Sequence, residues 1–197
     1  GSGKTTLAKL LVNFYTPIKG KIKINDQDIS TISKSSLRNY IAFLPQNPFI
    51  FAGSVLENIA LGAKESPTAE EIIKAAKIAE INDDIEKLPD GYLTQLSENT
   101  ELSGGQLQRI AIARVIIGGS KVIIFDEATS NLDILTEKKV ISNLTSMKNR
   151  TLIFISHRLE AAKRADKVIV MGNGKIIEQG NHADLLKRHG EYYRIMK

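Results

Sequence analysis

Residues Lys121-Val122-Ile123-Ile124-Phe125 form an unbroken apolar run closed by Asp126-Glu127. A strand without polar alternation must bury both faces, which a chain achieves by laying helices over both sides of a parallel sheet. Thr151–Ile155 and Val168–Met171 repeat the pattern with helical stretches between the runs, and Ile41–Leu44 is a shorter version stopped by Pro45. That order predicts an α/β fold with a mostly parallel sheet. Lys21–Ile24 alternates like an edge strand ahead of an Asn25-Asp26 turn. Asn173-Gly174 predicts a hairpin that joins Val168–Met171 to Lys175–Glu178.

Helical spacing accounts for much of the rest. Leu7, Leu10, Leu11 and Phe14 give one apolar face. Ile72, Ala75, Ala76 and Ala79 give another, on a helix opened by Ser66 as N-cap and Pro67 in the first turn. Leu107, Ile110, Ala111 and Ala113 follow on a helix starting just after Gly104-Gly105. Residues from about 64 to 117 therefore read as a helical subdomain inside one domain, 1–197. With 42% hydrophobic and 25% charged residues, the chain has enough apolar side chains for a core and is not a disordered polymer. The absence of cysteine excludes disulfides, Cys–zinc sites and thiol catalysis. No apolar run reaches the roughly 18–20 residues that span a bilayer, and the opening residues do not read as a signal peptide. A formal charge of +5 suits phosphate-bearing ligands but argues only weakly for nucleic acid, and no nucleic-acid partner is expected.

Several segments carry candidate chemistry. Gly1-Ser2-Gly3-Lys4-Thr5-Thr6 matches the end of the phosphate-loop pattern G-x-x-x-x-G-K-[ST]. Glycines there let backbone N–H groups curl around phosphate oxygens, with a helix N-terminus adding positive potential. Lys4 would reach the β and γ phosphates and the Thr5 hydroxyl would ligate Mg²⁺. The bland alternative is a flexible Gly-Ser start before a helix. Asp126 and Glu127 stand at a strand's carboxyl end, where open α/β sheets bind ligands. Asp126 can hold Mg²⁺ and Glu127 can deprotonate an attacking water, unless the pair merely favours the dipole of a following helix. His157 follows the Thr151–Ile155 strand and can hydrogen-bond a γ-phosphate, whereas His182 and His189 read as surface residues. Gln46 follows Ile41–Leu44 and can contact Mg²⁺ or the water, or be part of a polar turn. Leu102-Ser103-Gly104-Gly105-Gln106 offers a second anion site at a helix start, or an ordinary N-cap serine.

Taken in order, Gly-Lys-Thr-Thr, Gln46, Leu-Ser-Gly-Gly-Gln, Ile-Ile-Phe-Asp-Glu, Ser130-Asn131-Leu132-Asp133 and His157 resemble the ATP-binding domain of an ABC transporter along essentially the whole chain. The resemblance implies the ABC-ATPase version of the P-loop NTPase fold. Gly1 to Thr6 would be the end of Walker A, Gln46 the Q-loop, and Ser103, Gly104, Gly105 and Gln106 the signature. Asp126 would be the Walker B aspartate, Glu127 the catalytic base, Asp133 the D-loop aspartate and His157 the switch histidine. It further implies ATP and Mg²⁺ as cofactors and two domains paired head to tail. Lys4, Thr5, Asp126 and Glu127 of one copy would then face Ser103 and Gly105 of the other.

Phe51-Ala52-Gly53-Ser54-Val55-Leu56-Glu57-Asn58-Ile59 and Asp126-Glu127-Ala128-Thr129-Ser130 resemble exporters. Leu132-Asp133-Ile134-Leu135-Thr136-Glu137-Lys138-Lys139 and Ile153–Leu159 are similar to the peptidase-containing exporters of bacteriocins and competence peptides. A lipid or multidrug exporter is the alternative. By this likeness a transmembrane domain is expected upstream on the same polypeptide, with the cassette on the cytoplasmic face of the plasma membrane. Two departures stand out. Thr94–Glu101 replaces the usual exporter Gly-Glu-Arg-Gly, with only Glu98 matching. The leading Walker A glycine, the strand feeding the loop and the adenine-stacking aromatic would fall before residue 1, so weak ATP binding by these residues alone is expected. DNA-repair ATPases separate the two motifs with a long coiled coil that the short Lys4-to-Ser103 interval lacks. Glu127 and His157 argue against a non-hydrolysing regulatory cassette.

Overall fold

The computed structural model describes residues 2–97 and 102–197; Gly1 and Glu98, both singled out above, lie outside them. Its strands are β1 (Lys23–Ile24), β2 (Gln27–Asp28), β3 (Ile41–Leu44), β4 (Gly53–Ser54), β5 (Gln95–Leu96), β6 (Val122–Asp126), β7 (Thr151–Ile155), β8 (Val168–Gly172) and β9 (Lys175–Gly180). Its α-helices are α1 (Lys4–Leu11), α2 (Lys34–Tyr40), α3 (Val55–Ala60), α4 (Ala69–Ile78), α5 (Asn82–Ile85), α6 (Gly104–Ile117), α7 (Ile134–Thr145), α8 (Leu159–Arg164), α9 (His182–Lys187) and α10 (Glu191–Met196). They fall into two compact units, residues 39–153 and residues 1–38 with 154–197.

In sheet order β6 lies between β3 and β7, and within the 39–153 unit β3 runs parallel to β6, with Ile41 opposite Val122 and Leu44 opposite Phe125. Ile123, Ile124 and Phe125 are at most 1% exposed, the two-sided burial that an uninterrupted apolar strand demands. Helix α6 packs on α3, α4 and β3, and Ile110, Ala111, Ile112 and Ala113 are fully buried in it. Each isoleucine so buried contributes on the order of 1.5–3 kcal/mol. Ile72, Ala75, Ala76 and Ala79 are buried as their spacing predicts.

Two helix starts differ from expectation. The cap of α4 is Thr68, not Ser66: Thr68 Oγ1 accepts the Glu71 amide at 3.2 Å and Glu71 Oε2 accepts the Thr68 amide at 2.8 Å. The residue three beyond Ser66 is Ala69, which has no acceptor to return, so the reciprocal box selects Thr68. Likewise α6 begins at Gly104 with both glycines inside its first turn, because Ser103 and Gln106 form such a box. A cap of this kind is worth about 1 kcal/mol.

In the other unit two hairpins turn on paired positive φ values, Asn25 and Asp26 at 47° and 66°, and Asn173 and Gly174 at 50° and 73°. Those are the residues that a two-residue hairpin turn favours. The second turn folds β9 back along β8, so among the described residues Val168–Gly172 forms an antiparallel pair with β9, where a strand of the parallel sheet was expected. The burial matches, with Val170 at 6% exposure and its neighbour Ile169 at 48%. Val170, Leu185 and Tyr192 form the core here, with Ala162, Val168, Leu186 and Met196 packed around them. His182 is half-buried, its Nδ1 lying 2.6 Å from the Tyr192 hydroxyl, a partner that burial of Tyr192 requires; only His189 is the surface residue expected. Helix α1 ends at Leu11 as Asn13 enters the left-handed region at φ 57°. Phe14 therefore lies beyond the helix and is exposed, Leu7 is partly exposed, and Ala8 is the residue of α1 that is buried.

Candidate functional site

Gly3 has φ 91°, a conformation glycine adopts without steric cost, and it caps α1. Lys4 is the first residue of that helix, and its Nζ donates to Ser2 Oγ at 2.9 Å. The Ser2 carbonyl accepts from the Gly174 amide at 3.2 Å, which ties the loop to the β8–β9 turn. Among the described residues, α1, α2 and α6 are the α-helices without an acidic residue in the first turn. The positive ends of α1 and α6 thus stay unneutralised from within, as a bound polyanion requires. Thr5 and Thr6 are exposed on α1.

The 39–153 unit brings Gln46 to Glu127. Gln46 Nε2 donates to Glu127 Oε2 at 3.0 Å, from the turn after β3 to the residue after β6. Parallel pairing of β3 and β6, which aligns Leu44 with Phe125, puts the two strand ends together. A carboxylate only accepts, so the contact fixes which end of the Gln46 amide faces Glu127. Glu127 holds φ 51°, a left-handed conformation that costs a side-chain-bearing residue about 1–2 kcal/mol. Asp126, the last residue of β6, is 5% exposed. No helix starts at this pair: α7 begins at Ile134, capped by Asp133, so a dipole role for Asp126 and Glu127 is removed.

At the signature segment, Ser103 and Gln106 cap α6 while Ser103 and Gly104 remain exposed. A Cβ on Gly105 would stand 2.9 Å from the Asn131 carbonyl oxygen, so the turn after Glu127 is seated directly on the first turn of α6. Asp133 Oδ1 accepts from the amides of Leu135 and Thr136 at 3.1 and 3.0 Å. The Thr136 side chain foremost, and then these amide bonds, hold its carboxyl below the usual carboxylate range. Lys4, Thr5, Thr6 and His157 belong to one unit, and Gln46, Ser103–Gln106, Asp126, Glu127 and Asp133 to the other. Beside His157, the Ser156 hydroxyl accepts the Arg158 amide at 2.9 Å.

Sequence reasoning passed over three buried polar side chains. Gln108, 1% exposed, donates to the Gln46 carbonyl at 3.3 Å and accepts the Asn131 amide at 3.1 Å. Thr129 donates to Glu137 Oε1 at 2.8 Å, holding the turn after Glu127 to the start of α7. Asn58 accepts from the Phe51 amide and donates to the carbonyls of Phe51 and Ser54. The available signal was helical phase: Gln108 stands four residues before Ile112, on the buried side of α6.

An α/β fold with glycine-led helix starts and a strand-end Asp-Glu pair is the class this structure defines. The ABC transporter family pattern matches residues 1–130, and the chain belongs to that family. A structure described as a bacterial Atm1-family ABC exporter with ATP bound superposes with a TM-score of 0.93 at 40% identity, over 98% of this chain and 34% of the other. The transport/processing ATP-binding protein ComA of Streptococcus pneumoniae is 52% identical over 100% of this chain and 27% of its own length. The pediocin PA-1 transport/processing ATP-binding protein PedD of Pediococcus acidilactici is 53% identical over 100% of this chain and 28% of its own. The chain thus spans little more than a quarter of these relatives. No helix of the described residues is long and apolar enough to cross a membrane.

Proposed function

We infer that this chain is the ATP-hydrolysing domain of an exporter that moves a peptide across a bacterial plasma membrane. The observation that carries the hydrolytic reading is the Gln46–Glu127 hydrogen bond at the shared end of β3 and β6. Glu127 accepts the proton of the attacking water, and Gln46 holds the carboxylate in place. Ser2, Gly3, Lys4 and Thr6 bind the phosphates, and the carboxylate-free start of α1 fits such a group. Thr5 in one unit, and Gln46 and Asp126 in the other, would be oxygen donors for Mg²⁺, which when bound would neutralise charge on the phosphates. His157 donates to the γ-phosphate. Ser103, Gly104, Gly105 and Gln106 on the carboxylate-free start of α6 meet nucleotide held by a second such domain, head to tail, and Asp133 contributes to that contact. Residues 64–117 form the helical subdomain that presents them.

The peptide cargo rests on the names of the relatives, and with it a membrane part on the same polypeptide and a place on the cytoplasmic membrane face. Inside-out vesicles bearing the full-length protein test both readings. ATP-dependent accumulation of a double-glycine leader peptide, lost in E127Q, supports them. Hydrolysis stimulated by lipid or a hydrophobic drug but not by peptide replaces the cargo, and absence of hydrolysis removes the enzymatic reading.

A further inference from the structure

We propose that Gln108 is a positioning residue for hydrolysis, a buried amide that sets the Gln46 turn and the Asn131 turn in register with one another. The proposal rests on the hydrolytic reading above and goes beyond it. Gln108 lies on α6, outside the Ser103–Gln106 segment, and is 1% exposed. Its two bonds reach segments far apart in sequence: Nε2 to the Gln46 carbonyl at 3.3 Å, and Oε1 from the Asn131 amide at 3.1 Å. One partner only accepts and the other only donates, so the side chain between them must do both, as an amide or a protonated carboxyl does from two separate atoms. Gln46, whose backbone Gln108 holds, carries the amide that reaches Glu127 at 3.0 Å. Asn131 lies in the turn that leaves Glu127, and its carbonyl rests against Gly105. Every member of this chain of contacts lies in the 39–153 unit. A displacement of α6 therefore reaches Glu127 by two routes, through Gln46 and through Asn131. Misplacing a catalytic group by about 1 Å costs up to roughly a hundredfold in rate.

The test uses the full-length protein, with turnover measured against ATP concentration for wild type, Q108L and Q108E. In Q108L both turns lose their tie, and kcat falls roughly ten- to a hundredfold while KM for ATP stays within about twofold. Q108E separates positioning from simple packing. Its ionised carboxylate still accepts from Asn131 but cannot donate to the Gln46 carbonyl; its protonated form does both. Burial raises a carboxyl's pKa, so the ratio of Q108E to wild-type kcat climbs as pH is lowered from about 8.5 to 6. A flat ratio, or wild-type kcat in Q108L, overturns the proposal. If Q108L does not fold, the pH profile of Q108E still decides. A wild type without ATP turnover refutes the hydrolytic reading instead, an outcome distinct from either.

Discussion

The Gln46 side-chain amide and the Glu127 carboxylate meet at 3.0 Å, although 81 positions separate them in sequence. The parallel register of β3 and β6 makes the meeting possible, and the left-handed backbone at Glu127 turns its carboxylate out of the strand line. Glu127 pays for that conformation with local strain, and such strain clusters where geometry serves function.

Replacing Glu127 by Gln keeps the volume and the left-handed backbone but removes the proton acceptor. Turnover is expected to fall by about 10²- to 10⁴-fold, the usual contribution of a general base. Nucleotide affinity stays near wild type, and ATP-bound dimers accumulate. Steady-state phosphate release and size-exclusion chromatography in ATP check both halves. An unchanged hydrolysis rate would sink the assignment of the base.

Gly105→Ala drives a methyl group to 2.9 Å from the Asn131 carbonyl, a backbone atom that cannot swing aside as a side chain can. The Asn131 turn must shift, at a cost of about 1–3 kcal/mol. Gly104→Ala is the control, since its Cβ meets only the Asn131 side-chain nitrogen, at 3.8 Å. Denaturant titration of both variants is expected to show a loss for Gly105→Ala well beyond that for Gly104→Ala.

Much of this was legible in the sequence because it rests on local rules. Residues 122–125 had to be buried on both faces since none of them supplies a polar side, and Asn173-Gly174 had to be a turn because both residues tolerate positive φ. The Asp126-Glu127 pair could be placed at a strand end for the same reason. What stayed hidden was long-range. Nothing in the spacing says that β8, among the described residues, has β9 as its strand partner and no parallel neighbour, because a short apolar run reads alike in a parallel sheet or on the inner side of a hairpin. Gln108 looked like one more polar helix residue, while Leu107 beside it is only half-buried. Its value depends on two turns that chain topology, not sequence distance, brings to it.

Asp133 gives a pH dependence with a definite sign. Its folded carboxyl is held below the usual range by the bonds from Thr136 and Leu135, so the stability it lends is full above the unfolded pKa. That stability is lost as pH falls through the lower folded value. Asp133→Ala is expected to melt below wild type at pH 7, and the gap between the two closes in strongly acidic buffer. Thermal melts over a descending pH series check the convergence; a gap that widens towards acid contradicts the cap.

Asn58 concentrates four hydrogen bonds in one side chain that is 1% exposed. Its Oδ1 accepts from the Phe51 amide at 3.0 Å and from Arg114 at 2.6 Å, and its Nδ2 donates to Phe51 O at 2.9 Å and Ser54 O at 3.1 Å. Arg114 also donates to the Asn58 and Phe49 carbonyls and stacks its guanidinium 5.0 Å from the Phe51 ring. Its burial pushes the guanidinium pKa down, so its charge depends on these oxygens for solvation. Asn58→Leu removes the acceptor from both donors and leaves them in an apolar setting, at about 1–3 kcal/mol for each unmet group. Asn58→Asp retains an acceptor for Phe51 and Arg114 and gains an opposite charge beside the guanidinium, but it loses the two donated bonds and sets its second oxygen against the Phe51 and Ser54 carbonyls. The expected order in chemical denaturation is wild type, then Asn58→Asp, then Asn58→Leu. If Asn58→Leu proves as stable as Asn58→Asp, the loop from Phe49 to Ser54 is held by packing and not by this amide.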